Sequence, residues 1–178
     1  VLDEKLEVGK PITDALNLND VILDIAITPN RPDALSHIGV ARDLAALFDR
    51  ELIIPEIKLK ETNDDVNKLA SVVIEDNVNC PRYIAKVVKD VQIKESPTWL
   101  KERLEKIGLR PRNNIVDITN YVMMEMGQPL HAFDLRRIGG GEVKVRRARP
   151  GEKLLALDGK TYELDRTALV IADDKQPM

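Results

Sequence analysis

The chain has one cysteine, Cys80, and two histidines, His37 and His131, among 178 residues. A single thiol excludes an internal disulfide and a zinc site built on cysteines. Beside Pro81, Cys80 reads as a buried structural thiol. No apolar run approaches the roughly 20 residues that a membrane-spanning helix needs. The start lacks the basic-then-apolar character of a secretory leader, and no repeat or low-complexity tract is present. No Ser-His-Asp order suggests a covalent nucleophile, and no dense carboxylate set suggests a two-metal centre. A cytoplasmic protein is expected, and the initial Val points to a piece of something longer.

What is present suffices for a core: 43% of residues are apolar and 32% charged, enough for one large domain or one and a half small ones. Charge is divided unevenly. Residues 1–80 carry a net −8 and residues 81–178 a net +5. The basic half could face a polyanion, but its excess is too small to mark a free-standing nucleic-acid binder.

Residues 21–28 alternate, with Val21, Leu23, Ile25 and Ile27 on one face, and predict a strand. Pro29 and Pro32 stop it, because each lacks an N–H and fixes φ. Ser36 suits the N-cap of a helix to about Phe48, with Ile38, Ala41, Ala45 and Phe48 on its buried face. Residues 71–76 and 82–93 read as strands. Ser96 with Pro97 marks a helix start; Leu100, Leu104 and Ile107 form its inner stripe, and Gly108 suits its C-cap. A second helix is predicted over 114–126, ended by Gly127, with Ile115, Ile118, Val122 and Met126 inward and Met123 and Met124 as core filler. Residues 142–148 predict a strand, 154–164 a hairpin around Asp158-Gly159, and 169–172 a last strand. The class is α+β: a mixed helix-and-sheet domain preceded by a small strand-helix segment. The expected division is 1–55, a linker over 56–70, and a main domain over 71–178.

Gly139-Gly140-Gly141 is no phosphate loop, since no Lys-Ser/Thr follows and no helix opens there; it reads as a flexible connector. Asp173-Asp174 reads as a surface loop, and His37 as a solvated helix residue. His131 differs. It follows Gln128-Pro129 and is flanked by Leu130, Ala132 and Phe133. By residue type alone, a hydrogen-bonded structural role and a chemical one are equally open. Arg110, Asn113, Asn114, Thr119 and Asn120 just upstream tip the reading towards a site. An imidazole can orient water or accept a proton near neutral pH. Arg can grip a phosphate through two N–H groups, and Asn and Thr can fix hydroxyls. Such a set matches a pocket for a nucleotide end carrying an ester.

Ile27-Thr28-Pro29-Asn30-Arg31-Pro32-Asp33, Ser36-His37-Ile38-Gly39, Cys80-Pro81-Arg82-Tyr83, Leu109-Arg110-Pro111, Val116-Asp117-Ile118-Thr119-Asn120-Tyr121-Val122 and the stretch 127–134 occur in this order. Leu157-Asp158-Gly159 and Val170-Ile171-Ala172-Asp173-Asp174 follow. Together they closely resemble the family of bacterial phenylalanyl-tRNA synthetase beta subunits. The resemblance implies that residues 1–55 are the end of a tRNA-binding OB module and part of a B1 domain. It also implies that 71–178 is most of the B3/B4 domain, which hydrolyses tyrosine wrongly attached to the phenylalanine tRNA. By the same resemblance, Arg110 and Asn120 would hold the terminal adenosine and the ester end. His131 would position the attacking water or the ribose hydroxyls, and Thr119 and Pro129 would shape the wall. The implied partners are that tRNA and the alpha subunit of a heterotetramer, with neither membrane nor DNA. ATP and Mg2+ would serve the whole enzyme and not this segment, where no metal is expected.

The family pattern continues past Asp173-Asp174 into a Gly-rich stretch and a Glu that reads the tyrosine hydroxyl, whereas this chain stops at Met178. A site built to bond a hydroxyl can reject the analogue lacking it by about 10⁴ or more. The alternative is a non-catalytic RNA-binding or subunit-interface module; a free-standing editing homologue fits less well. The expectation is that residues 1–178 alone deacylate Tyr-tRNA weakly or not at all, and rates near the whole enzyme's, measured by release of labelled tyrosine, would refute it.

Overall fold

The computed structural model describes residues 7–15, 18–156 and 158–178. The start of the expected 1–55 segment and Leu157 of the Leu157-Asp158-Gly159 motif lie outside the described residues. Chain contacts divide the molecule into two units, each made of two stretches: 1–54 with 93–130, and 55–92 with 131–178. Among the described residues no helix is long and apolar enough to cross a membrane.

The first unit is helical: α1 (Ile12–Ala15), α2 (His37–Leu47), α3 (Thr98–Lys106) and α4 (Asn114–Met126). Ser36 caps α2 as expected, accepting from the Gly39 N–H at 3.2 Å. Before it, Arg31 bonds both Asp33 and Asp43, bracing the Pro32–Ala34 turn against α2. Pro97 occupies the N-cap position of α3, and Gly108 turns the chain away with φ 79°. Leu100 and Leu104 are fully buried, as the stripe requires. α4 is bounded at both ends by the expected residues. Asn113 accepts from the N–H groups of Ile115 and Val116, and Gly127 closes the helix in the left-handed region at φ 77°. α4 packs on both α2 and α3. The His37 ring, exposed as expected, is also a tether: its Nδ1 lies 2.9 Å from the Met124 carbonyl oxygen.

Several expected faces are not where periodicity puts them. Residues 21–28 have no regular secondary structure and pair with no described strand, and Val21 is 80% exposed. Residues 82–93 are likewise unpaired, with Ile84 and Val88 exposed. Alternation supplies a strand with a face, not with a neighbour to complete its ladder. In α4, Ile118 and Met126 are exposed and Asp117 is the buried residue. Phe48 of the predicted α2 face is exposed as well.

The second unit holds the sheets. β1 (Ser71–Ile74), β2 (Glu142–Arg147) and β5 (Leu169–Ala172) form one, ordered β1-β2-β5. β1 runs parallel to β2, with Ser71 opposite Glu142, and β5 runs antiparallel, with Arg147 opposite Leu169. A parallel pair needs a long connection, and the chain between β1 and β2 carries residues 93–130 of the helical unit. β3 (Lys153–Leu155) and β4 (Thr161–Glu163) make the expected hairpin. Val143, Val145, Ala148, Val170 and Ala172 are buried around the central strand. The overall class is α+β.

Two loop expectations are corrected here. Asp173 is buried, not on a surface loop. Its carboxylate accepts from the Lys175 and Gln176 N–H groups and, at 3.0 Å, from the Gly139 N–H. Those backbone donors hold its pKa below the ordinary carboxylate value. The triple glycine is therefore a fixed turn: a Cβ at Gly139 would overlap an Asp174 carboxylate oxygen. Cys80 is half-buried, its Sγ 3.4 Å from the Arg82 carbonyl oxygen.

Arg146 of β2 is buried. Its guanidinium grips both oxygens of Glu152 at 2.7 and 2.8 Å, and Glu152 also accepts from the Arg149 N–H. The Arg146 hydrogen bonds hold the Glu152 pKa at about 2, against an ordinary 4.5. Because the folded value is depressed, the stability this carboxylate lends is present above about pH 4.5 and is lost as pH falls towards 2. Glu152→Gln should cost about 3–5 kcal/mol near neutrality, because it strands a buried guanidinium. It should also flatten the acid-side fall of the melting temperature, which a pH series of thermal melts measures.

Gly39 tests the α2 approach. Ala in a helix interior normally exceeds Gly by about 1 kcal/mol, but a Cβ here would overlap the Asp33 carbonyl oxygen. Gly39→Ala should lower stability by about 1–3 kcal/mol, read from the urea midpoint.

Candidate functional site

Four of the five residues singled out in the sequence lie in the helical unit, arranged along α4. Arg110 stands in the stretch between Gly108 and the cap Asn113 and is exposed. Among the described residues its guanidinium has no hydrogen-bond or ionic partner. Thr119 and Asn120 lie near the middle of the helix, both half-buried. The Thr119 hydroxyl donates to the Val116 carbonyl at 2.7 Å, so it is occupied within its own helix. The Asn120 amide has no protein partner among the described residues. Pro129 is exposed beyond the C-terminal end, and its carbonyl accepts from the Gln128 side chain at 3.2 Å.

A thirteen-residue helix is about 20 Å long. Arg110 and Pro129 thus flank opposite ends of α4, with Asn120 between, and Thr119 and Asn120 project about 100° apart around it. A shallow hollow of about 320 Å³ elsewhere in this unit is lined by Ala41, Leu44, Phe48 and Ile53 among others, and by none of the five.

His131 belongs to the sheet unit. It is exposed, and its ring stacks against Phe133 with centroids 6.1 Å apart and planes 14° from parallel. The backbone after it is held by a fork: Arg136 donates to both oxygens of Asp134, which also accepts from the Arg136 N–H. That contact takes the Asp134 pKa down to about 2.

Reasoning from the sequence passed over two features of α4. Asp117, fully buried in its first turn, accepts from the Ser96 hydroxyl at 2.5 Å and from the Arg112 N–H at 2.8 Å. The available signal was an acid set into a largely apolar helix, three residues before Asn120. The second feature is a polar-aromatic chain. Arg103 donates to the Tyr121 hydroxyl at 2.8 Å, which donates to Glu125 at 3.0 Å, while Trp99 packs edge-on against Tyr121. Burial first, and then Glu125, raises the Tyr121 pKa. The exposed Arg110 guanidinium can grip an anionic group and the Asn120 amide a hydroxyl. Among the described residues no three His, Cys, Asp or Glu side chains gather in a metal-binding set.

The model of the B3/4 domain family matches residues 79–178, a stretch that includes all five residues. The chain belongs to the B3/4 domain family. Among relatives of this B3/4 protein are three named phenylalanine--tRNA ligase beta subunit. The one from Fusobacterium nucleatum is 47% identical over 99% of this chain and 22% of its own length. That of Anaeromyxobacter dehalogenans is 50% identical over 93% of this chain and 21% of its own. That of Thermotoga maritima is 47% identical over 96% and 21%. The chain therefore spans about a fifth of the length of these relatives. The family resemblance drawn from the motifs is borne out.

Proposed function

We propose that this B3/4 protein is part of a phenylalanine--tRNA ligase beta subunit, and that its B3/4 domain hydrolyses the ester of tyrosine mis-attached to tRNA(Phe). The observation that carries the reading is the identity of 47% across 99% of the chain with a relative of that name. Arg110 and Asn120, whose polar groups are unclaimed by the described residues, hold the terminal adenosine and the ester end. Thr119 and Pro129 form wall. His131 positions the attacking water or the ribose hydroxyls. Water attacks the ester carbonyl directly and gives up one proton to solvent; the tetrahedral oxyanion collapses with cleavage of the bond to the ribose oxygen, which takes up the other proton, and tyrosine is released as its carboxylate. Such a step draws on groups held in place rather than on a covalent intermediate. Charging of the tRNA with phenylalanine, with ATP and Mg2+, belongs to the assembly with an alpha subunit in the cytoplasm.

One observation favours the competing reading, a non-catalytic RNA-binding or subunit-interface module. None of the five residues lines the 320 Å³ hollow. His131→Ala in the full-length subunit, assembled with its alpha partner, separates the two. Editing requires that hydrolysis of Tyr-tRNA(Phe) fall on the order of 10²-fold with phenylalanine charging intact. Unfolding without selective loss of hydrolysis would leave the polar cluster as a brace.

A further inference from the structure

Both ends of α3 are tied to one carboxyl. Asp117, sealed from solvent, reaches back to Ser96 ahead of α3 and across to the Arg112 N–H in the stretch that follows it. Leu100 and Leu104 on α3, which packs on α4, are fully buried, and an apolar residue in the first turn of α4 would spare the cost of burying an acid. The N-terminal turn of α4 favours negative charge there, but that does not explain why both oxygens are spent outside the helix.

The stretch they hold contains Arg110. On one side, the Leu109 N–H donates to the Leu104 carbonyl at 2.9 Å; on the other, the Arg112 N–H donates to Asp117 at 2.8 Å. Between these anchors stand only Arg110 and Pro111. Proline fixes its own φ, and its ring restricts the residue before it to extended backbone. Asn114 secures the same corner, accepting from the Lys94 N–H at 3.0 Å. The Arg110 backbone is thus confined, while its guanidinium stays exposed with no partner among the described residues.

We propose that Asp117 is a positioning residue for Arg110: it fixes the backbone from which the guanidinium reaches the adenosine or phosphate end of the substrate. This rests on the editing reading above and names a further residue in it. Confining the backbone in advance removes an ordering cost from binding, so the effect falls on KM rather than on the chemical step.

The test is a double-mutant cycle in the full-length subunit assembled with its partner, following deacylation of Tyr-tRNA(Phe). Asp117→Ala should raise KM by about tenfold to 10²-fold with kcat little changed. Combined with Arg110→Ala, it should add nothing to the defect of Arg110→Ala alone. Asp117→Asn, which keeps an oxygen for the Arg112 N–H, should restore most of the affinity. Full additivity of the two alanine variants would overturn the positioning role while leaving editing standing. A parental KM in Arg110→Ala would instead overturn both this role and the part assigned to Arg110. Should Asp117→Ala fail to fold, Ser96→Ala carries the same cycle with the carboxyl in place: non-additivity supports the role and additivity ends it.

Discussion

A buried carboxyl in the first turn of α4 is the contact on which the helical unit turns. Among the described residues the partners of Asp117 are a hydroxyl and a backbone N–H. A buried polar group left unpaired costs about 1–3 kcal/mol, and more when charged, so both donors must be delivered to it. Ser96 and Arg112 can arrive only if α3 lies alongside α4 with Leu100 and Leu104 inward. The apolar stripe supplies the attraction, which is without direction. The carboxyl supplies the direction, because its bonds tolerate little misalignment. α4 is then bounded by Asn113 and Gly127 and tethered near its end by His37; it carries Thr119 and Asn120, with Arg110 ahead of it and Pro129 beyond it.

The sheet unit follows the same logic with different groups. Arg146 is buried against Glu152, and Asp173 against three backbone N–H groups. In each case an ionisable side chain closes a turn that apolar packing alone would leave loose. The Arg146–Glu152 pair ties the central strand β2 to the turn that opens the hairpin. Asp173 ties the end of β5 to the glycine turn ahead of β2. Burying such groups is tolerated because nearly every lone pair and N–H is matched; the Arg146 Nε is the buried side-chain atom without a partner among those described.

Local signals were legible wherever the physics is local. Caps at Ser36 and Asn113, left-handed glycines at Gly108 and Gly127 and the Asp158-Gly159 hairpin are decided by a few neighbouring residues, and each stands as read. The alternating stretches 21–28 and 82–93 are different, since a strand exists only with a paired neighbour. Asp173 and Gly139 were misread for a related reason: thirty-four residues separate donor from acceptor. At the site, residue type pointed to Arg110, Asn120 and His131, all with exposed or half-buried polar groups. Asp117 escaped notice because its function is a long-range pairing with Ser96 that no spacing within α4 discloses.

The chain's chemistry by itself determined where helices begin and end, which turns are tight, the α+β class and the B3/4 family, because all of these rest on near-neighbour sterics or on motif order. Tertiary structure alone decided which polar groups are buried, which alternating stretch acquires a ladder, and which loop is rigid. Each of those depends on a partner supplied from elsewhere in the chain: a hydroxyl, an N–H, a guanidinium or an adjacent strand.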